Sequence, residues 1–188
     1  MNLHPRVGNK GPDAGFTLVE LISVLVILGI ISAIAFSRFA NKPSFDIFGY
    51  FNQAQALVRY GQKIAIAQGT NVYVRLNGAS VALCYNAGCT TLVTAPSGAN
   101  SGTAATLAAC GNSTTWACEA PTSGVTYTAT APSGAYTMFY YSAQGKPYNL
   151  GDQEPISNFT GQLTINLTSN NATSRSFIIE PETGYVHH

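Results

Sequence analysis

Phe16-Thr17-Leu18-Val19-Glu20-Leu21-Ile22-Ser23-Val24-Leu25-Val26-Ile27-Leu28-Gly29-Ile30-Ile31-Ser32-Ala33-Ile34-Ala35-Phe36 decides how this chain is read. It is an almost unbroken apolar run. As a helix it extends ~31 Å at 1.5 Å per residue, about one hydrocarbon core. Ahead of it, residues 1–15 are polar, with Arg6, Lys10, Asp13, Pro5 and Pro12. Basic residues before an apolar span keep the N-terminus in the cytoplasm and send the remainder outside.

Glu20 is the anomaly in the run. A secretory signal peptide has an apolar region of about 7–15 residues and no acid within it, although Ala33 and Ala35 do make an A-x-A-like site. A plain signal anchor tolerates Glu20 only by snorkelling to the interface, because a carboxylate at mid-bilayer costs roughly 2.5–3.5 kcal/mol on insertion scales. A buried carboxylate needs a cationic partner. A cut between Gly15 and Phe16 would create one: the new amine on Phe16 lies four residues before Glu20, and i and i+4 are neighbours on a helix.

The segment Gly15-Phe16-Thr17-Leu18-Val19-Glu20-Leu21 resembles the processing motif of type IV pilins and type II secretion pseudopilins. The resemblance implies cleavage after Gly15 by the prepilin peptidase and methylation of the amine of Phe16. It also implies a role for Glu20 in setting subunit register during assembly. Phe36 and Ser37 stand where major pilins usually carry a proline; Pro43 comes later.

Beyond the run, Pro43 is expected to kink or break the helix, with Ser44 able to cap a new one. Ile47, Tyr50, Phe51, Ala54, Leu57, Val58, Gly61, Ile64 and Ala65 recur at three/four spacing, one stripe of an amphipathic helix. Gly69-Thr70-Asn71 ends it. Val72, Val74 and Leu76 alternate with Tyr73 and Arg75, and Asn77-Gly78 reads as a two-residue hairpin turn before Val81 and Leu83. Later strands are expected at 124–130, 135–142, 161–168 and 174–180. One helix followed by hairpin-connected strands reads as α+β, with an antiparallel sheet on the helix. The divisions expected are a leader at 1–15, a transmembrane helix at 16–39, and an outer domain at 44–188 carrying a long Thr/Ser/Ala/Gly-rich loop at 86–123.

Cys84, Cys89, Cys110 and Cys118 lie in or beside that loop. An even count in such a region suggests disulfides if it is exported. Zinc and free thiols are the rival readings. The spacings do not match C-x2-C pairs, and His4, His187 and His188 are all remote. Three connectivities are open; closure over short loops favours 84–89 and 110–118.

Little else points to chemistry. No nucleophile elbow, Walker loop or HExxH motif occurs, so no enzyme is expected. No cofactor is expected. Asp152 and Glu154 could join backbone carbonyls around calcium, but two carboxylates are few. The terminal His187-His188 pair is a weak metal candidate. Seven Lys/Arg balance seven Asp/Glu after residue 15, and the basic residues of the outer domain are scattered, so no nucleic-acid footprint is evident.

The segment Gln55-Ala56-Leu57-Val58-Arg59-Tyr60-Gly61-Gln62-Lys63-Ile64-Ala65-Ile66-Ala67 and the later Ser142-Ala143-Gln144-Gly145-Lys146-Pro147 resemble minor pilins and pseudopilins of the GspH/FimT group. Glu180-Pro181-Glu182-Thr183-Gly184-Tyr185-Val186 is similar to the ending of minor pilins of the mannose-sensitive haemagglutinin pilus. These resemblances imply a pilin fold and a subunit of a pilus or secretion pseudopilus, active in filament initiation or at its tip. The implied partners are the prepilin peptidase, other pilin or pseudopilin subunits and an inner-membrane assembly platform. The implied location is the bacterial inner membrane with the outer domain in the periplasm, and then the filament. The alternative is a membrane-anchored periplasmic binding module that never polymerises.

Overall fold

The computed structural model describes residues 15–39, 42–170 and 172–188. The leader at 1–14, with Arg6, Lys10 and Asp13, lies outside the described residues. The chain divides into two compact units, residues 1–41 and 42–188.

In the first unit, α1 spans Leu18–Phe39. Gly15 to Thr17 precede it without regular structure. The apolar side chains from Phe16 to Ile31 are exposed. Among the described residues no helix is long and apolar enough to cross a membrane. Side chains of α1 are described only as far as Ala33, so residues 18–33 account for about 24 Å of apolar surface.

In the second unit, α2 runs Lys42–Gln68. It begins earlier than expected: Pro43 lies inside the first turn, where a missing N–H costs no hydrogen bond. The domain therefore starts at Lys42, and Ser44 is within the helix. The expected stripe is the buried face, with Ile47, Tyr50, Phe51, Ala54, Leu57, Val58 and Ala65 at most 5% exposed. Gly61 lets the helix approach closely, since a Cβ there would lie 2.8 Å from Leu83 Cδ2.

The strands are β1 (Val72–Leu76), β2 (Val81–Cys84), β3 (Cys118–Glu119), β4 (Val125–Ala131), β5 (Gly134–Ala135), β6 (Met138–Tyr141), β7 (Pro147–Asn149), β8 (Leu163–Ser169), β9 (Ala172–Ile179) and β10 (Val186–His187). They form two antiparallel sheets rather than one, ordered β3-β2-β1-β6-β7 and β10-β9-β8-β4-β5. Strands of both sheets pack against α2. The strand expected at 135–142 is thus two strands, β5 and β6, that belong to different sheets. The first turn is also longer than a two-residue hairpin: Leu76 pairs with Val81, so residues 77–80 form the connection. Asn77 Oδ1 accepts from Ala79 N (3.2 Å) and Ser80 N (2.9 Å), an Asx-type turn, while Gly78 takes φ +81°.

One core fills the space between α2 and the sheets. Val74, Leu83, Phe139 and Tyr141 come from the first sheet, and Leu163, Ile165, Phe177 and Ile179 from the second. Phe51 meets Phe177 edge-on at 5.8 Å. Full burial of each such side chain contributes about 1.5–3 kcal/mol. Tyr127 couples the sheets: its hydroxyl donates to Ser80 O at 2.6 Å and accepts from Gly78 N at 3.1 Å. Burial pushes this hydroxyl up to about 12.

Candidate functional site

Four places carry the residues singled out in the sequence: the start of α1, the cystine loop, the loop after β7 and the C-terminal segment. At the start of α1, Thr17 O accepts from Leu21 N at 3.1 Å, and Thr17 Oγ1 accepts from Glu20 N at 3.3 Å. Thr17 is therefore the N-cap, and Thr17-x-x-Glu20 has the capping-box spacing. The helix starts at Leu18, so Phe16 stands before it. In the uncut chain Phe16 belongs to non-helical backbone just before the helix. The Glu20 carboxylate is exposed in the first turn, next to the positive end of the helix. Thr17 was missed in the sequence, although the T-x-x-E pattern was a legible signal for it.

The loop at 86–123 is built rather than structureless. The structure joins Cys84 to Cys89 and Cys110 to Cys118, leaving no free cysteine. The loop contains α3 (Ala104–Ala109), capped by Thr103, whose side chain accepts from Thr106 N at 3.1 Å. Trp116 lies beneath Arg75, whose guanidinium carbon is 4.6 Å from the ring, and the indole N–H donates to Leu83 O at 2.7 Å. Burial holds the Arg75 guanidinium below its ordinary value, with a partial offset from Tyr127. Glu119 accepts from Ser101 N (2.8 Å), Ser101 Oγ and Thr106 Oγ1 (3.2 Å). Thr106 is fully buried and accepts from Ala120 N at 3.2 Å. This polar network and the two cystines fasten the loop over the β3–β2 edge of the first sheet.

Gln62 brings together two sequence segments that were noticed separately. Its Nε2 donates to Gly145 O (2.9 Å) and Thr183 O (2.7 Å). Nearby, Arg59 Nε and Nη2 donate to Val186 O at 3.0 and 2.8 Å, and Tyr141 Oη donates to Gly184 O at 3.3 Å. Lys146 pairs with Glu182 at 2.7 Å. The Ser142–Pro147 and Glu180–Val186 segments are thus latched to α2. Nothing in the sequence marked Gln62 as their meeting point.

The metal candidates are placed differently. Asp152 Oδ2 accepts from Asn149 N (2.8 Å) and Asn158 N (2.9 Å), and Oδ1 accepts from Asn158 Nδ2 (2.7 Å). Burial works to raise this carboxyl, but the three N–H donors outweigh it and hold it below its ordinary value. Those donors engage both oxygens of Asp152, and Glu154 is exposed beyond them. His187 and His188 diverge: His187 Nε2 meets Glu180 Oε1 at 2.8 Å, whereas the His188 ring packs edge-on to Phe51. Among the described residues no group of three or more metal-ligating side chains occurs.

The family comparison matches residues 11–36 to the prokaryotic N-terminal methylation motif. No curated protein matches. Among solved structures, the chain is similar to the type IV minor pilin FimU of Pseudomonas aeruginosa strain PAO1 in two crystal forms. The first likeness has a TM-score of 0.47 at 12% identity, covering 75% of this chain and 86% of that one. The second has a TM-score of 0.44 at 12% identity, covering 72% and 86%. At these values no role passes from FimU to this chain. The chain thus carries a prokaryotic N-terminal methylation motif at residues 11–36, followed by a helix-and-sheet domain of the α+β class.

Proposed function

We propose that the chain is a minor pilin or pseudopilin: a subunit of a type IV pilus-type or type II secretion filament, acting in assembly, initiation or at the tip. The observation that carries this reading is Glu20, an acid in the first turn of an otherwise apolar helix, inside the matched motif. A carboxylate there is costly in lipid unless a cation meets it. Cleavage between Gly15 and Phe16 supplies that cation as the amine of Phe16, from the same chain or from the next subunit. Before assembly α1 anchors the chain in the inner membrane with the domain in the periplasm. Two cystines suit that oxidising compartment.

Intact mass with N-terminal sequencing tests this directly. The expected mature chain begins at methylated Phe16, and Gly15→Val yields only the longer precursor. Normal-sized mature protein from Gly15→Val, or an unprocessed native chain, would overturn the proposal in favour of a binding module that does not polymerise. Glu20→Gln is expected to insert normally and to assemble poorly.

A further inference from the structure

The charged side chains of the domain are mostly engaged within it. Among the described side chains, Glu119, Asp152, Glu180 and Glu182 all have the partners given above. Arg59 is held by Val186 O, Arg75 lies over Trp116, Lys146 meets Glu182, and Arg175 lies over Phe48 at 4.8 Å. Lys63, Asp46 and Glu154 remain without an ion pair or hydrogen bond among the described residues.

Lys63 borders a recess of about 370 Å³ lined by Ala56, Arg59, Tyr60, Lys63 and Pro96. Its walls are fixed. Tyr60 Oη donates to Thr94 O at 3.3 Å, and the segment 93–95 is tied by Val93 N to Leu83 O and Ala95 N to Thr115 O. The recess is therefore basic on its helical wall, apolar at Ala56 and Pro96, and located beside the β3–β2 edge of the first sheet.

Glu154 has the opposite character and lies beyond the opposite edge. It is exposed in the loop that leaves β7, and Leu150 and Ile156 beside it are 47% and 71% exposed. That loop is closed at its base by the three N–H bonds to Asp152. Tyr140 Oη donates to Asp152 O (3.1 Å), and Ile156 N to Gln153 O (2.9 Å). An acid with two apolar neighbours on a fixed loop is a preorganised projection. Asp46 is half-buried on α2 itself and offers no such projection.

We propose that the loop carrying Glu154 and Ile156 docks into the Arg59/Lys63/Pro96 recess of a second copy of this chain. This inference rests on the reading of the chain as a filament subunit, and it names a contact between outer domains in that filament. Projection and recess lie at opposite edges of one sheet, so the contact is heterologous: one copy offers its projection and its neighbour the recess. The contact is small, so it depends on the high effective concentration of anchored subunits.

The test uses the full chain, with the Lys63→Glu and Glu154→Lys variants expressed together in one cell and their membranes treated with a zero-length carbodiimide. The expected product is a Lys63–Glu154 linked peptide pair, which in that mixture only two different copies can form. Lys63→Glu alone and Glu154→Lys alone should each lose it. The double exchange should restore it, as a Glu–Lys link of reversed direction, to within about two-fold of the native yield. Links confined to single copies, a link from Lys63 to Asp46 or to another protein, or failure of the double exchange would each overturn the contact. Cleavage at Gly15, read in the same samples, separates the two proposals. A processed chain without the link sinks only this contact, whereas an unprocessed chain sinks the filament reading on which it rests.

Discussion

Gly184→Ala is expected to be among the most damaging single-methyl additions in the domain. Gly184 adopts φ +65°, and a Cβ there would lie 2.5 Å from Gly145 O, 2.7 Å from Gln62 Nε2 and 2.7 Å from Tyr141 Cε1. The left-handed conformation alone costs an alanine about 1–2 kcal/mol. Moving Gln62 away breaks its bonds to Gly145 O and Thr183 O, each contributing about 1 kcal/mol. The combined loss is about 3–4 kcal/mol, which in a domain of this size lowers Tm by roughly 10 °C. Gly69→Ala is the control. Gly69 has a similar φ of +60° with nothing within 4 Å of its Cβ, so it bears the conformational cost alone, about 1–2 kcal/mol. Thermal unfolding of both variants in detergent, followed by circular dichroism, gives the comparison. If Gly184→Ala melts within about 2 °C of Gly69→Ala, the three-way junction at Gln62 is not what holds the C-terminal segment.

Replacing Cys110 and Cys118 together by serine removes one short closed loop and should cost about 2–3 kcal/mol on the chain-entropy account, measured as a drop in urea midpoint. Trp116, the sole tryptophan of the chain, should report the same event, its emission shifting to the red on reduction as the indole loses its shelter beneath Arg75. Asp152 supplies a pH prediction. Its carboxyl is held below the ordinary value in the folded chain, so its contribution is present above the unfolded value of about 3.9 and is lost as pH falls beneath that. Asp152→Asn should therefore show a smaller fall in urea midpoint between pH 6 and pH 3 than the native chain; equal falls would refute the assignment.

The helix and most strands were legible because each has one buried face. The stripe from Ile47 to Ala65 keeps helical spacing, and Leu163, Ile165 and Leu167 keep period two, so periodicity located them. The split into two sheets was not legible. Residues 135–142 look like one continuous strand, yet Tyr136 and Thr137 carry the chain from one sheet to the other, a change set by long-range partners rather than local pattern. The segment 86–123 lacked periodicity for the same reason. Its order comes from cystines, from Trp116 under Arg75, and from hydroxyls gathered on Glu119. Glu20 stood out because an acid in an apolar run contradicts its surroundings. Gln62 did not, because a polar residue beside a helical stripe looks like any solvated side chain.

The latch between α2 and the C-terminal strand bears on how the domain carries mechanical load. A pull transmitted along the chain from residue 42 enters through α2. That helix is packed lengthwise on both sheets, and Arg59 and Gln62 tie it to the final strand and to the loop after β6. Traction along its axis must therefore slide many contacts at once instead of peeling them in turn. A domain built this way resists being pulled apart through its first helix.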